Sequence, residues 1–288
     1  MKNKITKVIE CPRDAMQGLD YHISTENKIR YINQLLKVGF DVLDCGSFVS
    51  PKAVPMLADT AEVLENIEWR QSDTKLLVIV ANEKGADKAV TYEQVSYLGY
   101  PFSISEQFQM RNTNHNQEES LVTLANILNI AGNAGKEVVV YLSMGFGNPY
   151  GETWSPDLTI AWAKRIAAMG VKTISLSDTI GMAKPADINY IFTECVNALP
   201  DIEFGVHLHT RPDNYLENIT AAYDAGCRRF DGAIKGFGGC PFASDALTGN
   251  LPTEALIRFL HEKEAQLRVD DIAFAKAYSI AATIFVAP

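Results

Sequence analysis

The sequence predicts a single (β/α)₈ barrel, the α/β TIM-barrel fold, followed by one extra C-terminal helix. Three observations lead to this fold class: a length of 288 residues, eight strand-like segments that alternate with helical ones, and the lack of a Pro/Ser-rich linker. A hydrophobic content of 47% supplies a large core. An open doubly wound sheet is the alternative that the same alternation allows.

Eight segments have the composition of strands. The clearest is the continuous apolar run Leu76-Leu77-Val78-Ile79-Val80, which is typical of a parallel strand buried on both faces. The predicted strands begin near positions 5, 40, 75, 95, 138, 173, 204 and 230.

Capping residues mark helices between these strands. Ser24 is a predicted N-cap, and Gly39 ends the helical spacing that follows it. Ser155 before Pro156 is a second helix start. Further helices are predicted over residues 59–67, 83–90, 118–134, 186–198, 214–225 and 253–261. Pro12-Arg13-Asp14 is predicted to enter a turn, and the polar stretch that follows the fourth strand to be a loop or a helix start.

The end of the chain has its own apolar pattern. Residues 270–288 predict an additional helix. We therefore divide the chain into a catalytic barrel over residues 1–262 and a helical extension over residues 263–288, which packs on the barrel or on a partner subunit.

Charge and cysteine usage restrict the partners and the compartment. The formal net charge of −9, without a dense Lys/Arg run, argues against nucleic acid. No stretch approaches ~18 uninterrupted apolar residues, which argues against a membrane span. The five cysteines are odd in number and never form C-x-x-C. This usage predicts a reducing compartment and a cytoplasmic protein.

Two of the five histidines, His207 and His209, lie in the apolar run of the seventh strand. Residues two apart on a strand share one face, so both imidazoles project together, roughly 7 Å apart along the backbone. This spacing suggests a metal site, although buried histidines also serve to satisfy neighbouring carbonyl or carboxylate groups. Two histidines leave an octahedral divalent ion in need of further ligands.

The barrel hypothesis predicts where those ligands are found, because functional residues of this fold lie at the C-terminal ends of the strands. Arg13 and Asp14 follow the first strand, and Asp44 and Asp178 end the second and the sixth. The loop after the eighth strand carries Cys240 and Asn250. Closure of a barrel brings the first strand beside the eighth, so Asp14 can meet the two histidines.

Motifs spread along the chain in one order carry a resemblance. They are Pro12-Arg13-Asp14 with Met16-Gln17, Ser47-Phe48-Val49-Ser50-Pro51-Lys52, Gly147-Asn148-Pro149-Tyr150-Gly151, Ser177-Asp178-Thr179-Ile180-Gly181, His207-Leu208-His209, Gly238-Gly239-Cys240-Pro241 and Gly249-Asn250-Leu251. Together they resemble the 3-hydroxy-3-methylglutaryl-CoA (HMG-CoA) lyase family. This family belongs to the wider group of Claisen-type metal-dependent TIM barrels that includes isopropylmalate synthase.

The resemblance implies a ligand set and a reaction. Asp14, His207, His209 and Asn250 would bind a divalent cation, Mg²⁺ or Mn²⁺, and leave two octahedral positions for a substrate that chelates through a hydroxyl and a carboxylate. The implied reaction is cleavage of HMG-CoA to acetyl-CoA and acetoacetate. The implied enzyme is thus a metal-dependent carbon–carbon lyase with an acyl-CoA substrate, and the family suggests a homodimer.

The resemblance also implies catalytic roles. Arg13 would stabilise the enolate, Cys240 would deliver the terminal proton, and Asp14 or His207 would lie near the hydroxyl proton. Four further residues would bind substrate or support the site: Gln17, Asp44, Ser47 and Asp178. Simpler interpretations remain: a surface ion pair between Arg13 and Asp14, an inert thiol at Cys240, and a helix cap at Asp178.

The sequence departs from the lyase pattern near the site. Ala15 and Asp44 stand where the pattern has Gly and Glu, Thr210 follows the second histidine where it has Asp, and the loop from Cys240 to Asn250 is one residue longer. These departures keep open a lyase for another acyl-CoA, or a condensing synthase acting on another acyl-CoA or a 2-oxo acid. The synthases usually carry an additional C-terminal domain. A barrel kept as a binding or scaffold protein is the non-enzymatic alternative.

Overall fold

The computed structural model describes residues 5–238 and 249–285. Within these ranges eight parallel strands form one closed sheet, in which β1 pairs with β8 and β6 pairs with β7. Their bounds are β1 Lys7–Glu10, β2 Val42–Ser47, β3 Lys75–Ile79, β4 Val95–Ser103, β5 Glu137–Ser143, β6 Thr173–Asp178, β7 Glu203–Thr210 and β8 Arg229–Gly232. The predicted (β/α)₈ barrel is confirmed, and closure excludes the open doubly wound sheet.

Helices follow the strands and surround the barrel. They are α1 Pro12–Gln17, α2 Thr25–Val38, α3 Thr60–Asn66, α4 Glu83–Val90, α5 Glu106–Thr113, α6 Gln117–Asn133, α7 Pro156–Ala168, α8 Pro185–Ala198, α9 Tyr215–Asp224, α10 Thr253–Glu262 and α11 Asp271–Ile284. A short ninth strand, β9 Gly249–Asn250, pairs antiparallel with the end of β7.

The helix ends follow the predicted capping signals. Ser24 accepts a hydrogen bond from the backbone N–H of Asn27 at 3.3 Å, and Gly39 ends α2 in the left-handed region at φ +82°. One segment differs from the prediction, because Pro12–Gln17 is a short helix and not only a turn. Of the two alternatives for the polar stretch after β4, the structure has the helix, over Glu106–Thr113 with Ser105 as its cap.

The barrel interior is divided into an apolar and a polar side. An apolar cluster fills the interior from β1 to β5: Ile9, Cys11, Val42, Leu77, Ile79, Val139 and Tyr141. The side formed by β6 to β8 is polar and carries buried Ser175, His207, Arg229 and Asp231. The main hydrophobic core lies between the strands and the surrounding helices.

The last described helix, α11, packs against α2. The Gln34 side-chain amide donates to the carbonyl of Ala273 at 2.9 Å, and the rings of Tyr31 and Phe285 meet edge to face at 5.8 Å. The division of the chain after residue 262 stays a prediction. None of the helices in the described ranges is both long enough and apolar enough to cross a membrane.

Candidate metal centre and active site

The two histidines of β7 direct their Nε2 atoms to one point at the C-terminal mouth of the barrel. The Nδ1 of His209 lies 2.7 Å from the carbonyl oxygen of Thr179. Because a carbonyl only accepts, Nδ1 carries the proton and Nε2 keeps a lone pair. The Nδ1 of His207 lies 3.2 Å from Asp231 Oδ2, which orients the second ring in the same way. Both imidazoles are buried.

Asp14 faces both lone pairs from α1. Its Oδ2 lies 3.9 Å from His207 Nε2 and 3.8 Å from His209 Nε2. These distances are too long for hydrogen bonds. Two atoms that share a cation at about 2.1 Å lie about 3 to 4 Å apart, which is the separation found here. The ligand atoms of Asp14, His207 and His209 all lie within 4.8 Å of one another.

The hydrogen-bonding state of His209 supports a metal at this point. Its Nε2 is buried and has no hydrogen-bond partner among the described residues. An unpartnered buried nitrogen costs free energy unless something binds it. A carboxylate oxygen and two imidazole lone pairs that converge on one gap form a donor set for a divalent cation. The residues present therefore fit the metal that the sequence predicts.

Asn250 reaches the same point from β9. It pairs in register with His209, and its Nδ2 donates to Asp14 Oδ2 at 2.7 Å and to the carbonyl of Phe237 at 2.9 Å. A Cβ on Gly238 would lie 2.6 Å from that Nδ2, so only glycine fits there. The structure thus brings Asn250 to the predicted ligand set, with its amide nitrogen on the carboxylate oxygen that faces the gap.

Arg13 forms a buried network on the other side of Asp14. Its Nε and one terminal nitrogen donate to Asp44 Oδ2 at 2.9 and 2.6 Å. The other terminal nitrogen donates to Asp14 Oδ1 and to Gln17 Oε1, each at 2.8 Å. The guanidinium is buried, so the Arg13–Asp14 pair is not the surface ion pair that the sequence also allowed.

This network sets the charges of the two carboxylates. Burial favours the neutral form of Asp14, but the adjacent Arg13 charge lowers its pKa well below the ordinary range. Burial raises the pKa of Asp44 to about 6, although Arg13 opposes the shift. Asp14 is therefore an anion at neutral pH, as a cation ligand must be.

Two predicted residues, Asp178 and Ser47, make their hydrogen bonds outside this cluster. Asp178 accepts from the backbone N–H groups of Met182 and Ala183 at 2.9 and 2.8 Å, so it shapes the loop before α8 and is not its N-cap. The hydroxyl of Ser47 accepts from the N–H of Val49 in the turn after β2. Cys240 lies outside the described residues.

Sequence reasoning missed Asp231. The signal was present, because Arg229 and Asp231 are two charged residues two positions apart inside a strand of a closed barrel. Residues at this spacing share one face. Both are buried, and Asp231 contacts His207.

The chain is similar to known proteins over most of its length. A family model described as HMGL-like matches residues 7–284. The chain belongs to the HMGL-like family. The mitochondrial hydroxymethylglutaryl-CoA lyase of Mus musculus is 35% identical over 261 residues, which cover 90% of this chain and 79% of the relative. A hydroxymethylglutaryl-CoA lyase of Bacillus subtilis is 31% identical over 258 residues, 90% and 85% of the two chains.

A solved structure has the same fold over the whole barrel. The HMG-CoA lyase of Acinetobacter baumannii in complex with coenzyme A and 3-methylmalate superposes with a TM-score of 0.90 at 30% identity. The match covers 99% of this chain and 92% of that one. In this HMGL-like chain, the groups at the mouth comprise an anionic ligand, two imidazole lone pairs and one buried guanidinium. They can bind a cation, hold an anionic oxygen and accept a proton.

Proposed function

We propose that this chain is a metal-dependent lyase that cleaves HMG-CoA to acetyl-CoA and acetoacetate. The observation that carries the proposal is the convergence of Asp14, His207 and His209 beside Arg13, in a chain of the HMGL-like family. The names of the relatives and the coenzyme A in one related structure support this substrate class.

Asp14, His207, His209 and Asn250 would hold the cation, Mg²⁺ or Mn²⁺. When bound, the cation would supply Lewis acidity at the hydroxyl and carboxylate oxygens of the substrate. One carboxylate, one amide and two imidazoles combine hard oxygen donors with borderline nitrogen donors, which suits Mn²⁺ well and Mg²⁺ through its oxygens.

Asp14 is the better candidate for accepting the hydroxyl proton. His207 uses Nδ1 for Asp231 and directs Nε2 into the ligand gap, so neither nitrogen is left over for a base. The low pKa of Asp14 makes it a weak base that stays ionised at neutral pH. Asp14 therefore suits a substrate hydroxyl that the bound cation would make more acidic.

Arg13 would stabilise the enolate that forms when the carbon–carbon bond breaks. A guanidinium has five N–H groups, and the contacts to Asp44, Asp14 and Gln17 use four of them. The fifth is on the terminal nitrogen that also contacts Asp44. This N–H, on a group that keeps its charge at any working pH, can donate to the thioester oxygen. Cys240 would then protonate the acetyl-CoA carbanion.

The test is direct. The purified chain, supplied with Mg²⁺ or Mn²⁺, should convert HMG-CoA to equal amounts of acetyl-CoA and acetoacetate. Asp14→Asn, which removes the anionic ligand but keeps the side-chain shape, is the matched control and should be inactive. A folded protein that binds the cation yet releases no acetyl-CoA with either metal would exclude this substrate.

A related acyl-CoA is the second candidate, and one observation favours it. Asp44 is one methylene shorter than the Glu of the lyase pattern, and its Oδ1 is buried without a hydrogen-bond partner among the described residues. A shorter carboxylate holds Arg13 nearer to β2 and leaves more room at the mouth. Turnover of a different 3-hydroxyacyl-CoA in preference to HMG-CoA would decide for it. Condensation of an acyl-CoA with a 2-oxo acid would instead identify the chain as a synthase.

The homodimer and the cytoplasmic location are also part of the proposal. The relatives include cytoplasmic as well as mitochondrial lyases. Sedimentation of the purified chain tests the dimer, and localisation of a tagged chain in its own cell tests the compartment.

A further inference from the structure

Asp231 lies directly below the candidate metal centre, inside the barrel. It pairs in register with His207 across β7 and β8, so the two side chains stand beside each other on the inner face. Asp231 Oδ2 lies 3.2 Å from His207 Nδ1, and the carboxylate is 2% exposed. The rings of His207 and Tyr141 form a T-shaped pair with 5.7 Å between their centroids.

This contact decides which nitrogen of His207 carries the proton. A carboxylate oxygen accepts hydrogen bonds, so Asp231 Oδ2 beside Nδ1 selects the tautomer with the proton on Nδ1. The lone pair is then on Nε2, which faces Asp14 and His209 across the ligand gap. The other tautomer would put an N–H group into that gap, where a cation could not be bound by this ring.

Charge compensation explains part of the presence of a carboxylate at this position. A buried carboxylate has a high desolvation cost. Here Oδ1 has no hydrogen-bond partner among the described residues, and Oδ2 otherwise receives only a weak contact from the Ser175 hydroxyl at 3.4 Å. The compensating charge is Arg229, which is fully buried two residues earlier on the same strand. An apolar residue would leave the buried Arg229 guanidinium without this counter-charge. Compensation of Arg229 does not itself require a contact with His207, and the closest side-chain contact of Asp231 is to His207 Nδ1.

We propose that Asp231 is a positioning residue that fixes the tautomer and orientation of His207 for cation binding. The proposal rests on the proposed metal-dependent function, because it assigns a role toward the same cation. The two histidines then have different supports: His209 is oriented by a neutral carbonyl and His207 by a charged carboxylate. Carboxylate partners of this kind raise the basicity of an imidazole ligand.

The test uses two substitutions of similar volume in the full chain, Asp231→Asn and Asp231→Leu. Mn²⁺ affinity is measured from the free-ion EPR signal, and the tautomer of each histidine from ¹⁵N–¹H spectra of the metal-free protein. We expect each variant to bind Mn²⁺ about 10 to 100-fold more weakly. Asp231→Leu should also populate the Nε2–H tautomer of His207, whereas His209 should keep its proton on Nδ1.

The matched control is Ser175→Ala, which removes the Ser175 contact of Asp231. It should leave the Mn²⁺ affinity within about twofold of wild type and the tautomers of His207 and His209 unchanged. Wild-type affinity in folded Asp231→Asn and Asp231→Leu would overturn the proposal. If neither variant folds, the wild-type spectrum decides, because a proton on Nε2 of His207 in the wild type would overturn it too.

These readouts do not depend on HMG-CoA turnover. A wild-type chain that lacks lyase activity, with Mn²⁺ affinity that falls in both variants, refutes the proposed substrate and supports the role of Asp231. Lyase activity in the wild type, with Mn²⁺ affinity unchanged in both variants, would support the proposed substrate and refute the role of Asp231.

Discussion

Glu10, the last residue of β1, gives a prediction about stability that is independent of the metal centre. The side chain is fully buried and accepts two hydrogen bonds, from the N–H of Ile234 at 2.9 Å and from the Thr253 hydroxyl at 2.6 Å. Burial, with a smaller contribution from Glu254, raises its pKa from an ordinary value of 4.5 to about 8. Glu10 is thus largely neutral in the folded chain at pH 7.

The Glu10 pKa differs between the folded and the unfolded chain, and this difference decides how stability changes with pH. Between pH 4.5 and about 8 the folded chain holds a proton on Glu10 that the unfolded chain has lost. Stability from this group is complete below pH 4.5 and is lost as the pH rises through 8. The loss is about 1.4 kcal/mol for each pH unit, or about 4 kcal/mol from pH 5 to 8. This is a large part of a typical stability of about 5–15 kcal/mol.

Glu10→Gln isolates this effect, because an amide has the shape of the protonated acid and does not titrate. Urea unfolding followed by circular dichroism should be measured for both proteins at half-unit steps from pH 5 to 9. The difference in their free energies of unfolding should grow with pH by about 4 kcal/mol in favour of the variant. Glu254→Gln is the control and should change the slope little. Parallel curves for wild type and Glu10→Gln would refute the reasoning.

Three further substitutions test the candidate site. Arg13→Lys keeps the charge but loses the two-point contact to Asp44, so kcat for HMG-CoA should fall about 100-fold while Mn²⁺ affinity changes little. Cys240→Ser should lose most of its turnover and keep its Mn²⁺ affinity, because the cysteine is assigned the acid role only. Gly238→Ala puts a Cβ 2.6 Å from Asn250 Nδ2 at a backbone φ of +93°. Mn²⁺ affinity should therefore fall at least tenfold, with a strain of about 1–2 kcal/mol seen in unfolding.

The same measurements can refute each of the three predictions. Equal kcat for Arg13→Lys and wild type would remove the enolate role, and equal turnover for Cys240→Ser would remove the acid role. The added Cβ also lies 2.7 Å from the Asp14 carbonyl oxygen, so unchanged Mn²⁺ affinity in Gly238→Ala would contradict a ligand set that contains both Asp14 and Asn250. For this last variant Gly151→Ala is the control, since its φ of +73° is also left-handed but no atom lies within 4 Å of the added Cβ.

The sequence was sufficient for the barrel because its signals are local. Apolar runs such as Leu76-Leu77-Val78-Ile79-Val80 specify buried parallel strands, and Ser24 and Gly39 place the ends of a helix within one residue. Short helices without an apolar stripe are harder to predict from the sequence. Glu106–Thr113 is polar on most faces, and Pro12–Gln17 is too short to show a period.

The site was predictable only where a motif or strand spacing marked it. His207 and His209 share a face by spacing alone, and barrel closure brought Asp14 to them as expected. The sequence marks Asp231 as a charged residue inside a strand, but the register between β7 and β8 that pairs it with His207 is not encoded in either strand by itself. The contact between Arg13 and Asp44 had no local signal either, since the two residues lie 31 positions apart.

The division of the interior into an apolar and a polar side has a consequence for folding. The apolar side comes from the first five strands, whereas the polar side and both histidines come from the last three. Asp14 reaches those histidines only after β1 has paired with β8, a contact between residues more than 200 positions apart. Non-local pairings of this kind form slowly. If the cation binds as proposed, its full affinity requires a closed sheet, and the appearance of that affinity during refolding reports the moment at which the two ends of the barrel join.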